Sequence, residues 1–399
     1  MKKLLILGGS RYVIPAIEVA HKLGVYVITC DYLPDNIGHR YSDEYHNVSI
    51  IDKEAVLDLA KKLDVDGIIS FATDPGVVIA AYVAEKLGLP TPPYESVKIL
   101  QNKDLFRNFL RENNFNVPLA IGFSKKEDAF SSLDKFKFPV IVKPVDSAGS
   151  KGVTRVGDIK NLDNAIDFAL LYSRSNRFII EEFIEKLGCS SDTDCFSINN
   201  KLVFASFCCQ YFDEDAQNPY TPSGYTWPSD MADDKQAELR NELQRLIELL
   251  NLGTSIYNIE TRVGIDGKAY IMEVSPRAGG NRLSEMLRYA SGQDLIENNI
   301  RAALAMPLLE MSDPVYNGAW AEYILHSDRD GIFNRVKIAE DVGTKFLVEE
   351  DVWVSKGDEV KSFTGANETL GTLVLKFNSF EEAMEMLKNH KQWLKVIVD

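Results

Sequence analysis

Apolar residues recur along the first ninety positions in two alternating rhythms. Short β-branched or aliphatic runs at residues 3–7, 25–30, 45–49 and 67–71 predict strands. Between the first two, residues 14–23 carry Ile14, Ile17 and Leu23 at helical spacing and stop at Gly24, a residue suited to a left-handed helix cap. Residues 52–63 and 75–87 show the same helical pattern. Strands alternating with helices predict a parallel sheet covered by helices. Pro90-Thr91-Pro92-Pro93 then denies both a helix and a central strand, and it marks a domain boundary.

The first ninety residues therefore predict a Rossmann-like unit. Leu7-Gly8-Gly9-Ser10 ends its first strand and opens a helix, where free backbone N–H groups can hold an anion. A tight strand-to-helix turn explains the glycine pair equally well, and the G-x-G-x-x-G spacing of a dinucleotide site is missing.

Beyond the prolines the pattern predicts helices at 96–100 and 103–112 and a buried strand, Phe138-Pro139-Val140-Ile141-Val142-Lys143-Pro144, that ends in a lysine. Asp146-Ser147-Ala148-Gly149-Ser150-Lys151-Gly152-Val153 follows, a small glycine-bearing loop whose backbone amides can close over phosphates. It lacks the spacing of a Walker A loop, so that fold and mechanism are not implied. An apolar strand at 177–184 then runs into Glu181 and Glu182. Asn258-Ile259-Glu260-Thr261-Arg262 and Ile271-Met272-Glu273-Val274-Ser275-Pro276-Arg277 repeat the arrangement of an acid on a strand. The turn-rich connector at 263–268 suits an antiparallel hairpin, which would set Glu260 beside Glu273. Either glutamate alone reads as a solvated strand-face residue. Together they repel unless a cation lies between them, and magnesium, which pairs one or two carboxylates with substrate phosphates, is the natural guest.

The last part of the chain returns to strands at 320–325, 332–338 and 373–377 and a helix at 380–390, with turns around 356–360 and 371. Met384, Met386 and Leu387 read as core at helical spacing. A length of 399 residues suits two or three domains, and 45% hydrophobic with 26% charged residues is ordinary globular composition. The net charge of -15 argues against nucleic acid or an anionic membrane surface as partner. The apolar run after Met1-Lys2-Lys3 is too short for a signal peptide and ends in glycines, and no run approaches a membrane span, so a cytoplasmic location is expected. Cys30, Cys189, Cys195, Cys208 and Cys209 are odd in number, form no C-x-x-C pair and read as buried free thiols.

In order and content these motifs resemble the ATP-grasp carboxylate–amine ligases, a group that includes carbamoyl-phosphate synthetase, biotin carboxylase and amino-acid ligases. The resemblance implies an α/β and α+β multidomain chain: a Rossmann-like domain at 1–93, a central ATP-grasp domain at 94–313 with a lid subdomain at about 118–183, and a small β-rich module at 314–399. It implies that Lys103 and Lys143 neutralise the ATP phosphates and that the loop bearing Ser147, Gly149, Ser150 and Gly152 covers them. Glu181, Glu182, Phe183 and Ile184 would meet adenine through backbone groups. Glu260 and Glu273 would hold Mg2+, with Mn2+ as an admissible substitute. Ser275 stands where many members carry a metal-binding asparagine. The acid for the ribose is Asp192 or Asp194, with Asp192 favoured.

The implied chemistry is phosphorylation of a carboxylate by ATP and attack of an amine on the acyl phosphate, with Lys143 and Arg277 in catalytic roles. Arg277 reads otherwise as an ion-pair partner of a neighbouring acid. Substrate choice is expected in an aromatic loop at 213–231, near Tyr211, Phe212, Tyr220, Tyr225 and Trp227, whose alternative reading is plain packing on a sheet. Asn281 and Arg282 are further candidates for gripping a substrate carboxylate. An amino-acid-like substrate is favoured over a small acid such as bicarbonate or formate; a non-catalytic ATP-binding protein and a dehydrogenase are the remaining readings. Partners would be the small-molecule carboxylate and amine, and a homodimer is admitted. A single set of motifs argues against a duplicated carbamoyl-phosphate synthetase.

Overall fold

The computed structural model describes residues 1–147 and 149–399; Ala148, inside the expected phosphate loop, lies outside the described residues. Strands Glu44–Asn47, Tyr26–Asp31, Lys3–Leu7 and Gly67–Ser70 lie side by side in that order, all parallel. Leu4, Leu5, Ile6 and Leu7 are wholly buried, as expected of a parallel strand covered on both faces. Helices Ile14–Lys22 and Lys53–Leu63 connect strands of this sheet, and helix Asp74–Leu87 follows its last strand. The Rossmann-like expectation holds, with element ends displaced by a residue or two. Gly8 adopts φ +112°, and a Cβ there would meet Thr73, so the turn itself requires a glycine.

Two antiparallel sheets follow. The first runs Ala120–Phe123, Phe178–Glu182, Val140–Pro144, Thr154–Val156. Helix Leu162–Leu171 covers it with Leu162, Ala165, Ile166 and Ala169, a buried stripe at helical spacing. The second runs Lys201–Ala205, Ser191–Ile198, Ser255–Val263, Ala269–Ser275. Its residues alternate between faces. Cys195, Tyr257, Ile259 and Val274 pack with Leu239, Leu243, Leu246 and Ile247 of helix Asp233–Leu249. The intervening positions carry acids and amides, and they form the floor of the site described below.

A five-stranded sheet runs Cys209–Phe212, Pro222–Trp227, Ala319–Leu325, Gly371–Phe377, Leu347–Val352. This corrects the expected aromatic loop at 213–231. Pro222–Trp227 is a strand, and Tyr225 and Trp227 are fully buried in the core. The true loop is 213–221. The sheet also crosses the expected boundary at residue 314, because two of its strands come from 209–227. Glu359–Val360, Gly331–Ile338 and Leu394–Val398 form a smaller sheet. Helix Glu340–Phe346 and strands Leu347–Val352 and Leu394–Val398 carry too weak a pattern to have been expected. Leu387 is core, with Met384 and Met386 packed against it. The cysteines are free thiols, all buried except the half-buried Cys189. Among the described residues no helix is long and apolar enough to cross a membrane.

Candidate active site

The hairpin Ser255–Val263 and Ala269–Ser275 pairs Glu260 directly with Glu273 and Asn258 with Ser275. The neighbouring strand sets Asp192 opposite Glu260 and Asp194 opposite Asn258. Directly opposed residues share a sheet face. Two rows therefore lie side by side on one surface, Asp192–Glu260–Glu273 and Asp194–Asn258–Ser275. Burial and then the charge of Glu260 push Asp192 up to about 7, and burial pushes Asp194 up to about 6. Asn258 Nδ2 donates to Asp192 at 2.8 Å and reaches Asp194 at 3.4 Å. Three carboxylates in a row are oxygen ligands of the type a divalent cation takes, whereas the groups whose ligand atoms already converge within 4.8 Å among the described residues are Cys189–Cys209–Asp230 and Asp213–His326–Asp328.

The two rows have different uses. Asp194 accepts from the Gly279 N–H at 2.8 Å and from Ser284 Oγ at 2.5 Å, so it anchors the loop after the hairpin. Ser275 was expected as a metal ligand. Its hydroxyl is buried, accepts from Gln101 Nε2 at 2.7 Å and donates to Asp74 at 3.2 Å, which leaves it committed elsewhere. Asp192, favoured for the ribose, lies opposite Glu260 in the row of carboxylates and also accepts from Tyr225 Oη at 3.3 Å.

Lys103 opens helix Lys103–Glu112 and points at both halves of the site. Its Nζ lies 3.5 Å from Glu273 and donates to the Ser147 carbonyl at 2.8 Å. Lys143, near the end of its strand, donates to Glu181 at 2.5 Å. Arg107, which no motif singles out, completes this pair; its Nε donates to the other Glu181 oxygen at 3.0 Å and its Nη1 to the Met272 carbonyl at 2.8 Å. Burial pushes Glu181 up, but the Arg107 and Lys143 charges outweigh it and hold the carboxyl at about 2. Burial pushes Lys143 down despite the Glu181 charge.

Glu181 was expected to meet adenine through its backbone. Its backbone instead lies mid-sheet between Ala120 and Ile141, and its side chain orders two cations. Free backbone appears only past the strand end. Glu182 N–H donates to Leu119 at 2.9 Å and Phe183 N–H to Pro139 at 3.1 Å, whereas Ile184 N–H finds no protein acceptor among the described residues. The Phe183 ring packs under Arg155 at 4.8 Å, and Glu182 accepts from the Lys137 N–H at 3.0 Å.

In the glycine loop Gly149, Ser150 and Gly152 all have positive φ, near +69°, +57° and +71°. Ser150 Oγ donates to the Tyr220 carbonyl at 3.1 Å, which joins this loop to 213–221. Arg277 forms the ion pair that was its alternative reading. Nε and Nη2 both donate to Asp74 at 2.9 Å, and Nη1 to the Ala278 carbonyl. Asp74 comes from the Rossmann-like sheet's third helix, so an acid some two hundred residues upstream orients the arginine. Arg282 is also spent: it pairs with Glu285 at 3.1 Å and Glu349 at 2.8 Å, leaving no free fork for a substrate carboxylate. Asn281 accepts from Tyr12 Oη and donates to Tyr225 Oη, both at 3.2 Å.

The sheet with the glycine loop is thus set against the acidic sheet and joined to it by Lys103 and Arg107. Residues 136–285 match the family described as ATP-grasp domain. The chain is 26% identical over 340 residues to a formate-dependent phosphoribosylglycinamide formyltransferase of Burkholderia vietnamiensis, covering 82% of this chain and 80% of that one. Among solved structures it resembles an L-amino acid ligase from Bacillus licheniformis, at TM-score 0.82 and 21% identity, with 100% and 99% of the two chains covered. It also resembles a phosphoribosylglycinamide synthetase from Anaerococcus prevotii, at TM-score 0.78 and 21% identity, with both chains covered in full. Residues 136–285 thus match the ATP-grasp family, and the chain as a whole shares the fold of these solved structures. Those relatives are ATP-dependent ligases, and ATP-grasp enzymes in general use ATP and magnesium.

Proposed function

We propose that this chain phosphorylates a carboxylate with Mg-ATP and passes the acyl group to an amine, releasing ADP and phosphate, with an amino-acid-like substrate. The observation that carries the reading is the one-faced row Asp192–Glu260–Glu273 with Lys103 3.5 Å from Glu273. Residues 1–93 and 94–313 are the proposed working units, with the lid at about 118–183, and the 314–399 module completes a sheet begun by the strands at 209–227. Glu260 and Glu273 hold magnesium, Asp192 supports them, and Ser275 braces the hairpin against Asp74. Manganese is an admissible substitute. When bound, the metal offsets the charge on the transferring phosphate. Lys103 and Lys143 do the same from the protein side, and Glu181 keeps Lys143 in place.

The backbone of Glu182 to Ile184 takes adenine, and the Ser147, Gly149, Ser150 and Gly152 segment closes over the phosphates and excludes water. Arg277, steered by Asp74, steadies the acyl phosphate with the N–H groups that Asp74 does not use. The formate-dependent relative favours a second reading in which the acid is formate or another small one. Both readings are tested by ADP release from Mg-ATP with pools of amino acids, formate and bicarbonate, each with and without amines. The expected result is stimulation by one acid–amine pair, lost in Glu273→Ala and needing about tenfold more magnesium or above in Glu260→Gln. Full turnover in Glu273→Ala would remove the mechanism.

A further inference from the structure

Asp213 stands where strand Cys209–Phe212 ends and the 213–221 loop begins. Ligand atoms of Asp213, His326 and Asp328 lie within 4.8 Å of one another. His390 adds a second imidazole. Its Nε2 is 3.7 Å from Asp213 Oδ2, the same oxygen that His326 Nε2 faces at 3.2 Å. Asp213 and His326 are buried, whereas Asp328 is exposed and opens the group to solvent. The other Asp213 oxygen is already engaged: Oδ1 accepts from the Asp215 N–H at 3.0 Å and lies 3.4 Å from Lys391 Nζ.

The partners of the two rings fix their tautomers. A carbonyl oxygen only accepts, so His326 Nδ1, 2.7 Å from the Ile324 carbonyl, carries a proton, and so does His390 Nδ1, 3.1 Å from the Leu387 carbonyl. Both Nε2 atoms are thereby turned on one carboxylate oxygen, which also only accepts. Either two further protons or one cation must lie between them. Spacing favours the cation. Charge-assisted N–H···O bonds are about 2.7–2.9 Å long, shorter than either contact. Ligands about 2.0–2.1 Å from one tetrahedral zinc ion stand roughly 3.3 Å apart, which 3.2 and 3.7 Å approach. The rings are also held in place, His326 stacked 4.3 Å from Phe363 and His390 4.9 Å from Tyr323. An imidazole that binds metal through one nitrogen usually donates the other N–H to a carbonyl or carboxylate, as both do here.

We propose that Asp213, His326, His390 and Asp328 bind a zinc ion, at a site separate from the Asp192–Glu260–Glu273 row and independent of the ligase reading. Two imidazole nitrogens and two carboxylate oxygens suit zinc, whereas magnesium keeps to oxygen ligands. On binding, the ion replaces the two Nε2 protons. Its ligands come from three distant stretches of chain, so it ties the root of the 213–221 loop to the end of strand Ala319–Leu325 and to the turn after helix Phe380–Lys388. The role is structural, and it bears on the loop that meets Ser150.

Zinc and cobalt titrations of the full chain, stripped with EDTA and held in excess magnesium to fill the carboxylate row, test this. One equivalent of either ion is expected to bind and to raise Tm by several degrees. Cobalt should give the visible spectrum of a tetrahedral nitrogen–oxygen site. His326→Asn and His390→Asn place an amide N–H near the position of Nδ1 and remove Nε2, so the bound equivalent should be lost while the carbonyl contact is kept. Asp328→Asn, at the surface, should weaken zinc about tenfold or more without disturbing the fold, and Glu273→Ala should bind zinc as wild type does. The proposal is overturned if neither ion binds, if the equivalent survives in both histidine variants, if Asp328→Asn leaves the affinity unchanged, or if Glu273→Ala loses the ion. A sulfur-to-cobalt charge-transfer band would overturn it too, because it would place the metal on Cys189 and Cys209.

Discussion

Glu181 shows how much one side chain can carry. It is buried, bonded to Lys143 at 2.5 Å and Arg107 at 3.0 Å, and held at about 2 against an ordinary 4.5. Removing Lys143 leaves the carboxylate one cation, so Lys143→Ala is expected to cost about 2 kcal/mol of stability and most of the ADP release. Arg107→Met also strips the Met272 carbonyl and should cost more, about 4 kcal/mol by urea unfolding. The pH sign follows from the lowered carboxyl. Its stabilisation is full above about 4.5 and is lost as the pH falls toward 2, so wild type loses stability over that window. Arg107→Met should show a shallower acid limb, and an unchanged limb would refute the pairing. Lys143, Glu260 and Glu273 could be placed on strands from the apolar runs around them, whereas Lys103, on a helix, was singled out through the family resemblance. Arg107 was not, because its partner lies 74 residues away and a helix pattern reports a buried face without saying that a charge lies on it.

Elements were legible where period and punctuation agreed. The hairpin carrying Glu260 and Glu273 was placed in register from its turn residues alone, and helix Lys103–Glu112 matched residue for residue. The strand at 222–227 was missed because it contains Pro222 and Gly224 and is followed by Pro228, which leaves an alternation only a few residues long. The glycine loop offers an element-scale test through two positions of like backbone. A Cβ at Gly149 meets nothing within 4 Å, so Gly149→Ala bears only the left-handed penalty, about 1 kcal/mol. At Gly152 a Cβ would meet Tyr172 at 3.0 Å and Pro144 at 3.2 Å, so Gly152→Ala should cost about 2 kcal/mol and tilt the loop off its strand. Thermal melts alongside ADP release check the order. Equal losses in the two variants would mean that backbone conformation, rather than packing against Tyr172, governs the loop.

At the scale of the molecule, the 213–221 loop bridges parts that the sequence reads as separate. Its Tyr220 carbonyl accepts from Ser150 of the phosphate loop, and Asn218 Nδ2 donates to Thr364 at 2.9 Å. Asp213 fixes the bridge's root, facing His326 at 3.2 Å, His390 at 3.7 Å and Lys391 at 3.4 Å. No sequence rhythm announces this, since periodicity reveals a strand but not its partner, and 222–227 pairs with 319–325 across nearly a hundred residues. The hydrogen bonds from His326 and His390 lower the Asp213 carboxyl well below its usual range. A lowered carboxyl stabilises the fold above its unfolded value, roughly 3.9, and that contribution disappears as pH falls further. Asp213→Asn should therefore unfold more easily at pH 7, by about 3 kcal/mol, with the gap to wild type closing below about pH 4. Because the same root supports the phosphate loop's contact, the variant should also need more ATP for half-maximal ADP release. A variant that melts earlier at pH 7 yet shows the wild-type ATP requirement would mean that Asp213 braces the C-terminal sheet alone, and the bridge to the phosphate loop would have to be abandoned.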